Sequence, residues 1–208
     1  MPSAASERLD EGAPLVGVLA LQGDFADHEQ ALAAAGLRTR QVRTAAQLEG
    51  LDGLVLPGGE STTMLRLLDV EGLWAPLGDT LRSGIPVFAT CAGMILLATK
   101  VVSPPQRSYG LLSITVARNG YGRQLHSGTF ALRSDVLPPG TTGTFIRAPR
   151  VLEVGEGCEV LARRGDDPVL VQQGMLLAAC FHPELVPEHP VVQRFAATVR
   201  RRAVRDWR

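Results

Sequence analysis

Apolar residues in the first half of the chain alternate between compact runs and stretches with helical spacing. Three segments are predicted as strands, the first and last of them near-continuous apolar runs of the kind that a sheet buries on both faces: Pro14–Leu21, Thr39–Arg43 and Leu51–Leu56. Three helices are predicted between and after them, the first with Asp24 as N-cap and Gly36 as C-cap: Asp24–Ala35, Met64–Asp69 and Leu73–Arg82. This rhythm predicts an α/β fold with a mixed, mostly parallel central sheet covered on both faces.

The pattern changes after Pro104-Pro105, where short runs alternate with Gly and Pro. Six runs are predicted as strands of hairpins that extend the sheet: Leu111–Arg118, Thr129–Leu132, Gly143–Arg147, Glu159–Ala162, Pro168–Gln173 and Met175–Phe181. Pro190 then opens a closing amphipathic helix, Val191–Val204. Its arginines, Arg200–Arg202 and Arg205, are interpreted as a solvated face that complements the helix C-terminus, with binding of an acidic partner as the alternative.

The composition is that of an ordinary globular domain. The 208 residues include 21 acidic and 21 basic side chains and are 45% apolar, so nucleic acid is not an expected partner. The length predicts a single domain, residues 14–208, behind a flexible tail, residues 1–13. Three widely spaced cysteines without a Cys-x-x-Cys pair favour a reducing cytoplasm over a disulfide framework. The polar N-terminus is not expected to be a signal peptide, and no apolar run approaches the ~20 residues of a membrane span.

The most informative stretch is Ile85–Leu97, an apolar run that stops at Cys91 and resumes with helical spacing. It predicts a strand, a sharp turn at Thr90-Cys91-Ala92-Gly93 and a helix that continues to Lys100. A cysteine at such a turn projects from the end of a strand and lies at a helix N-terminus, where amide dipoles favour the thiolate form. Cys91 is therefore predicted as a nucleophile, and a buried structural cysteine is the alternative.

A second informative stretch is Cys180-Phe181-His182-Pro183-Glu184-Leu185. The proline biases His182 to an extended backbone, in which residues i and i+2 point the same way, so His182 and Glu184 are expected to lie side by side. A carboxylate can orient an imidazole that takes a proton from a thiol, which is the logic of a Cys-His-Glu triad. The alternative is a lone histidine at a strand end. The other histidines (His28, His126 and His189) lack such a companion and are given no role in the chemical step.

The third stretch is Pro57–Thr63, with two glycines between a buried strand and a helix. Gly58 and Gly59 let the backbone approach a ligand closely, and their N–H groups can face a developing oxyanion. A phosphate-binding loop is the rival interpretation, although the Lys of a Walker motif is missing. A plain tight turn remains possible.

Together these motifs resemble the triad (class I) glutamine amidotransferases, and the finer motifs resemble the glutaminase subunits of pyridoxal 5'-phosphate synthase. Five motifs carry the resemblance and cover nearly the whole chain from Leu15 onward: Leu21-Gln22-Gly23, Pro57–Met64, Arg118–Gln124, Phe145–Pro149 and Phe181–Leu185. The resemblance implies a three-layer, flavodoxin-like fold.

The resemblance also implies the chemistry. Cys91 would attack the side-chain amide of L-glutamine to form a thioester and release ammonia, with His182 as base and then acid and Glu184 orienting it. The amides of Gly59 and Ala92 would form the oxyanion hole. The implied glutamine-binding residues are Gly59, Glu60, Ser61, Arg118, Ile146 and Arg147. No cofactor or metal is implied, and the ammonia would pass to a separate (β/α)8-barrel synthase subunit in a hetero-oligomer.

The sequence departs from the family pattern at two single residues and in one three-residue segment. Ala89 replaces the Gly that usually precedes Thr-Cys-Ala-Gly, Ala117 replaces an acidic residue, and His126-Ser127-Gly128 replaces a more acidic, aromatic segment. Three alternatives stay open: an amidotransferase subunit of another pathway, a different thiol hydrolase, and a non-catalytic assembly module. The Arg118–Gln124 and Phe145–Pro149 blocks argue against the first, and the Gly-Gly-Glu-Ser loop would be unexplained by the second. An intact triad weighs against the third.

Overall fold

The computed structural model describes residues 12–118, 120 and 127–206. Twelve strands lie in these ranges: β1 (Leu15–Leu19), β2 (Arg38–Val42), β3 (Gly53–Leu56), β4 (Val87–Thr90), β5 (Ala98–Val102), β6 (Leu112–Ala117), β7 (Gly128–Ala131), β8 (Thr142–Phe145), β9 (Arg150–Val154), β10 (Glu159–Arg164), β11 (Asp167–Gln173) and β12 (Leu176–Ala179). Five α-helices accompany them: α1 (Phe25–Ala34), α2 (Ser61–Val70), α3 (Trp74–Arg82), α4 (Ala92–Leu97) and α5 (Pro190–Asp206). Short 3₁₀ helices cover Ala45–Leu48 and Pro183–Leu185. None of the helices in the described ranges is long and apolar enough to cross a membrane.

The main sheet has seven strands in the order β10-β11-β12-β4-β3-β1-β2. The five strands from β12 to β2 are parallel, and β10 and β11 add an antiparallel edge. The predicted mixed, mostly parallel sheet is therefore confirmed. Its apolar strand residues, such as Val16, Leu54 and Phe88, are fully buried, which is why these strands lack the polar alternation of a half-exposed sheet.

The helices form two groups. Passing from β1 to β2 the chain moves towards one edge of the sheet, and from β3 to β4 it moves towards the other. Because parallel crossovers are right-handed, α1 and the α2–α3 pair must cover opposite faces. Helix α5 joins the α1 face, where Phe195 packs on Phe88 with ring centroids 5.5 Å apart.

The second half differs in part from the expectation that all its strands extend the main sheet. Strands β10–β12 do so, but β5, β6 and β9 form a separate three-stranded sheet and β7 and β8 a separate hairpin. The helix after Cys91 was predicted to reach Lys100, yet it ends at Leu97, and Ala98–Val102 forms β5. The β-branched Thr99, Val101 and Val102 favour a strand, and pairing with β6 takes precedence over the helical spacing before them. Strand β9 was not predicted.

The C-terminal arginines anchor the last helix. Arg200 donates a hydrogen bond to the carbonyl of Ala35 at the end of α1, and Arg202 donates one to the carbonyl of Gly84 after α3. These carbonyls end helical segments, where acceptors without intrahelical partners attract cations. The arginine run therefore includes side chains that dock α5, in addition to a solvated face.

Some expected features lie outside the described residues. They are residues 1–11 of the expected tail, most of the Arg118–Gln124 motif beyond Arg118, and His126.

Candidate active site

The carboxyl ends of four adjacent parallel strands, β12, β4, β3 and β1, meet at one edge of the main sheet. The segment after β1 supplies Asp24, that after β3 supplies Gly59 and Glu60, that after β4 supplies Cys91, and that after β12 supplies His182. Ligands of open α/β sheets bind at this edge, outside the carboxyl ends of the strands. The main sheet thus brings the three informative sequence stretches together.

Cys91 occupies a strained turn between β4 and α4. Its φ of 45° and ψ of −104° lie outside the regions that ordinary residues favour. The strain is supported on both sides: the Cys91 amide donates to the carbonyl of Ala179 at 2.9 Å, and the turn packs closely on β3. A Cβ at Gly93 would lie 2.1 Å from the carbonyl oxygen of Leu56, so this position requires glycine. Such backbone strain is a recurrent property of nucleophile turns.

The expected pairing of His182 with Glu184 is present. Their side chains join through His182 Nδ1 and Glu184 Oε1 at 2.8 Å, and both are buried. The geometry arises differently from the extended alternation we expected, because Pro183 opens a 3₁₀ helix that includes Glu184. The amide of His182 donates to the carbonyl of Thr144 at 2.8 Å, which fixes the backbone at the start of this turn.

The electrostatics favour a charged imidazole beside a carboxylate. Burial by itself lowers the pKa of His182, but hydrogen bonds with Cys91 and Glu184 outweigh it and raise the pKa to about 10. Burial raises the pKa of Glu184, and attraction to His28 together with the hydrogen bond from His182 outweighs this and lowers the pKa to about 2. The arrangement therefore stabilises a positive imidazole between a sulfur and a carboxylate.

The other two cysteines are in different surroundings. Burial raises the pKa of Cys158 and of Cys180, which keeps both as thiols. Cys180 packs against the sulfur of Met94 at 3.6 Å in the core.

The glycine loop after β3 is held by a neighbouring amide side chain. Gln22 accepts from the amide of Glu60 and donates to its carbonyl, both at 3.3 Å. Gly59 has φ of +138°, and a Cβ there would lie 2.3 Å from Gln22 Nε2. A Cβ at Gly58 would lie 2.4 Å from His182 Cε1. Gly58 is therefore needed for the close approach of this loop to the imidazole, and Gly59 for the positive-φ backbone beside Gln22.

Glu60 is the N-cap of α2 and also the partner of Arg118. Its carboxylate accepts from the amides of Thr62 and Thr63 at 3.2 and 2.7 Å. Burial tends to raise the pKa of Glu60, but these hydrogen bonds outweigh it, so the pKa is lowered. Arg118 Nη2 donates to Glu60 Oε1 at 3.1 Å and to the hydroxyl of Thr62 at 2.6 Å.

A pocket of about 260 Å³ opens at this place. Its lining includes the six predicted glutamine-binding residues and two of the triad, together with two residues that were not predicted: Asp24, Gly59, Glu60, Ser61, Cys91, Ile95, Arg118, Ile146, Arg147 and His182. Glu184 is behind His182, and Ala92 is the buried first residue of α4. Ser61 is almost fully buried and donates to Gln106 Oε1 at 2.8 Å.

Asp24 and His28 differ from the sequence expectations. Asp24 occupies the N-cap position of α1 but makes no side-chain capping hydrogen bond; its Oδ2 instead lies 3.4 Å from His182 Nδ1. His28 was expected to lack a carboxylate companion, and this is wrong, because its Nε2 lies 3.4 Å from Glu184 Oε1. Asp24 and His28 lie far in sequence from their respective partners, His182 and Glu184, so no local pattern indicates these contacts.

Asp24, His182 and Glu184 also offer atoms close enough together to hold a metal ion. The hydrogen bond between His182 and Glu184 already engages the shared nitrogen and oxygen. The grouping therefore consists of a hydrogen-bonded imidazole–carboxylate pair with the partly exposed Asp24 next to it. That no metal is needed stays a prediction.

The sequence and the fold are similar to those of known glutamine amidotransferases. The profile of the SNO glutamine amidotransferase family matches residues 18–201. The chain is 47% identical over 185 residues to the pyridoxal 5'-phosphate synthase subunit PdxT of Geobacillus kaustophilus (strain HTA426), which covers 89% of this chain and 94% of that protein. It is 51% identical over 191 residues to the PdxT subunit of Parafrankia sp. (strain EAN1pec), covering 90% and 94% of the two chains. A crystal structure of a glutamine amidotransferase is similar with a TM-score of 0.80 and 46% identity, covering 88% of this chain and 97% of that chain.

Proposed function

This chain belongs to the SNO glutamine amidotransferase family, and from that premise we propose that it is the glutaminase subunit of a pyridoxal 5'-phosphate synthase. It hydrolyses L-glutamine to L-glutamate and ammonia through Cys91, His182 and Glu184. The observation that carries the proposal is the order of groups from the pocket inward. Cys91 and His182 both line the pocket, and His182 Nδ1 lies 2.8 Å from the buried carboxylate oxygen Oε1 of Glu184.

The reaction follows from this order of groups. Cys91 sulfur attacks the side-chain amide carbon of glutamine, and the amides of Gly59 and Ala92 stabilise the oxyanion. The imidazolium of His182 gives its proton to the amide nitrogen, so ammonia leaves and a thioester remains. His182 then takes a proton from water, which attacks the thioester, releases glutamate and restores the sulfur. Glu184 keeps the imidazole oriented and stabilises its positive form throughout.

Substrate recognition uses the charged pair at the pocket mouth. Arg118 binds the α-carboxylate and Glu60 the α-ammonium, while Arg147 and the apolar Ile146 cover the substrate from the other side. Without substrate, Arg118 and Glu60 neutralise each other. A zwitterion replaces that single ion pair with two, so the site favours free glutamine over a glutamine within a peptide. Gly59 and Ser61 complete the binding surface.

The relatives named PdxT are subunits of pyridoxal 5'-phosphate synthase, which supports a synthase partner for this chain. We propose that this partner is a (β/α)8-barrel subunit that receives the ammonia internally, within a hetero-oligomer. Residues 14–208 act as one glutaminase domain behind a short tail. The mixed composition and the free cysteines support a cytoplasmic location. We propose that the reaction uses no cofactor.

The first experiment is glutamate release from L-glutamine by the purified subunit, alone and with the synthase subunit added. We expect release to appear or to rise sharply with the partner. Cys91→Ala should abolish glutamate release while the circular dichroism spectrum and partner binding are retained. Cys158→Ala, which changes a cysteine outside the pocket, is the control and should retain glutamate release as well as the spectrum and partner binding. Release by Cys91→Ala would contradict the mechanism. Equal release with and without the partner would contradict the role as a gated ammonia donor.

A further inference from the structure

His28 on α1 is buried against the far side of the proposed triad. Only 1% of the residue is exposed. Its Nε2 lies 3.0 Å from the hydroxyl oxygen of Thr90 and 3.4 Å from Glu184 Oε1. It therefore touches both the residue before the nucleophile and the carboxylate behind the base. It does not line the pocket.

The surroundings of His28 Nε2 select its tautomer. A bare nitrogen lone pair facing a carboxylate oxygen at 3.4 Å would be repelled, whereas an N–H is attracted. The hydrogen bond of Nε2 is with Thr90 Oγ1 at 3.0 Å, and Glu184 Oε1 lies beside the same N–H, with the Nε2–Oε1 distance 3.4 Å. His28 accordingly presents a donor to the Glu184 side of the triad. The edge-to-face contact of its ring with Phe88, with centroids 5.8 Å apart, fixes the ring plane.

Glu184 depends on few contacts for its position. Oε1 faces both His182 Nδ1 at 2.8 Å and His28 Nε2 at 3.4 Å. Oε2 is buried and has no hydrogen-bond partner among the residues that the structure describes. The orientation of this carboxylate is therefore determined by the two histidines at one oxygen.

A second carboxylate lies within reach of the same imidazole. Asp24 Oδ2 is 3.4 Å from His182 Nδ1, and its side chain is 42% exposed at the pocket. If Glu184 moved away, a small rotation of His182 towards Asp24 would restore a carboxylate contact, but with the ring turned from its present direction. The imidazole thus has two competing partners, and only one of them is buried.

We propose that His28 is a positioning residue that holds Glu184 against His182, so that the imidazole stays directed at Cys91 and is not drawn to Asp24. This inference rests on the proposed glutaminase function. The ionisable groups facing Glu184 are His28 from α1, His182 at the start of its own turn, and His189 from the segment before α5. Asp24 and Cys91 face His182 from the pocket.

Three substitutions separate this role from packing. His28→Phe keeps a ring of similar size and removes the donor. His28→Gln places an amide N–H at about the reach of the imidazole Nε2 and restores it. Leu32→Ala is the matched control, because Leu32 lies one turn further along α1, is buried to the same degree and is apolar; it loosens the helix without touching Glu184.

In the complex with the synthase subunit, we expect His28→Phe to lower kcat for glutamate release about tenfold to a hundredfold. KM should be nearly unchanged because His28 is outside the pocket. His28→Gln should recover most of that loss. Leu32→Ala should lower the unfolding temperature at least as much as His28→Phe does, and its kcat should stay within about twofold of the wild-type value. Equal losses of kcat in His28→Phe and Leu32→Ala, or no recovery in His28→Gln, would overturn the proposal.

A second measurement does not need glutamine turnover. The rate of Cys91 alkylation by iodoacetamide is followed against pH, with Cys91→Ala as the blank. In His28→Phe, we expect the pH at which alkylation reaches half its maximal rate to rise by about one unit, because a loosely held Glu184 stabilises the imidazolium of His182 less. His28→Gln should restore the wild-type profile, and an unchanged profile in His28→Phe would overturn the proposal.

The alkylation profile also distinguishes the two hypotheses. If the wild type releases no glutamate, the proposed function fails, while a profile that depends on His28 still supports the positioning role. Thr90→Val removes the other partner of Nε2. It should change the profile less than His28→Phe does, and an equal change would assign the effect to Thr90 instead of Glu184.

Discussion

Arg118 and Glu60 face each other at the pocket mouth, with Nη2 of the first 3.1 Å from Oε1 of the second. Glu60 is fixed by the first turn of α2, whose amides it caps. Arg118, by contrast, follows β6 in a different sheet. The pair therefore joins the main sheet to the smaller one at the place where substrate charges are expected.

Arg118→Ala should raise KM for glutamine by about tenfold to a hundredfold with little change in kcat, because it removes a charge-assisted contact present in both ground and transition state. Steady-state kinetics of the complex measure this. Arg107→Ala is the matched control, since Arg107 pairs with Asp69 outside the pocket. An unchanged KM in Arg118→Ala would remove the residue from carboxylate binding.

Gly59→Ala should lower kcat by about a hundredfold to a thousandfold, the range for loss of an oxyanion-hole donor. The new Cβ would overlap Gln22 Nε2 and strain a backbone with φ of +138°, which displaces the loop amide from the oxyanion. Kinetics and a thermal melt of the same sample separate catalysis from folding. Gly50→Ala is the control, since Gly50 also has positive φ but no atom within 4 Å of its added Cβ. It should lose stability and keep kcat, and an equal loss of kcat in both would contradict the prediction.

His189 should make stability depend on pH. Its Nε2 hydrogen-bonds the carbonyl of Thr142 and its Nδ1 accepts from the amide of Val191, so the folded protein needs the neutral ring. Burial lowers the pKa of His189 below 6.5. As pH falls through 6.5 the unfolded chain therefore binds the proton first, and the stability contributed by the neutral ring is lost progressively below that pH.

Urea unfolding of the wild type and His189→Ala at pH 7.5 and 5.5 tests this. The wild type should exceed the variant by about 1 kcal/mol at pH 7.5, as for a lost helix cap, and by less at pH 5.5. All other ionisable groups are common to both proteins, so the difference isolates His189. A difference that stays constant or grows on acidification would contradict the assignment.

Arg200→Ala should lower the free energy of unfolding by about 1 kcal/mol, the usual contribution of one hydrogen bond. Arg200 donates from α5 to the end of α1, whereas the neighbouring Arg201 donates within its own helix, to the hydroxyl of Thr198. Arg201→Ala is thus the control and should change stability much less. Equal losses of stability in the two variants would indicate that Arg200 does not anchor α5 and belongs to a solvated face, as first interpreted from the sequence.

The strand–turn–helix around Cys91 could be predicted from sequence because its determinants are local. Strand-forming residues, a small-residue turn and an apolar helix follow one another around Cys91, and the structure has this order. The predicted glutamine-binding residues likewise line one pocket. Gly59, Glu60 and Ser61 follow a strand whose direction the α/β rhythm fixes, whereas Arg118, Ile146 and Arg147 follow strands of the smaller sheets, which that rhythm does not determine. Where the helix ends was not predictable in the same way, because β5 forms by pairing with β6, a contact between distant segments.

Asp24 and His28 show the same limit at the site. A cap residue before an alanine-rich helix normally bonds the first helical amides, but Asp24 turns towards an imidazole that arrives from the other end of the chain. His28 has an ordinary helical position in sequence. Its importance comes from burial against Thr90 and Glu184, which only the assembled sheet brings together.

The proposed nucleophile, Cys91, and the proposed base, His182, follow neighbouring strands in fixed register, with Thr90 opposite Ala179 and the Cys91 amide bound to the Ala179 carbonyl. Of the proposed substrate-binding residues, Gly59, Glu60 and Ser61 follow a strand of the main sheet, whereas Arg118, Ile146 and Arg147 follow strands of the two smaller sheets. The proposed chemistry thus belongs to one sheet, and part of the proposed substrate contact belongs to the two others. A shift of the smaller sheets, when a partner binds or when loops are exchanged, can change which amide is held and for how long, while the sulfur and imidazole remain one rigid piece.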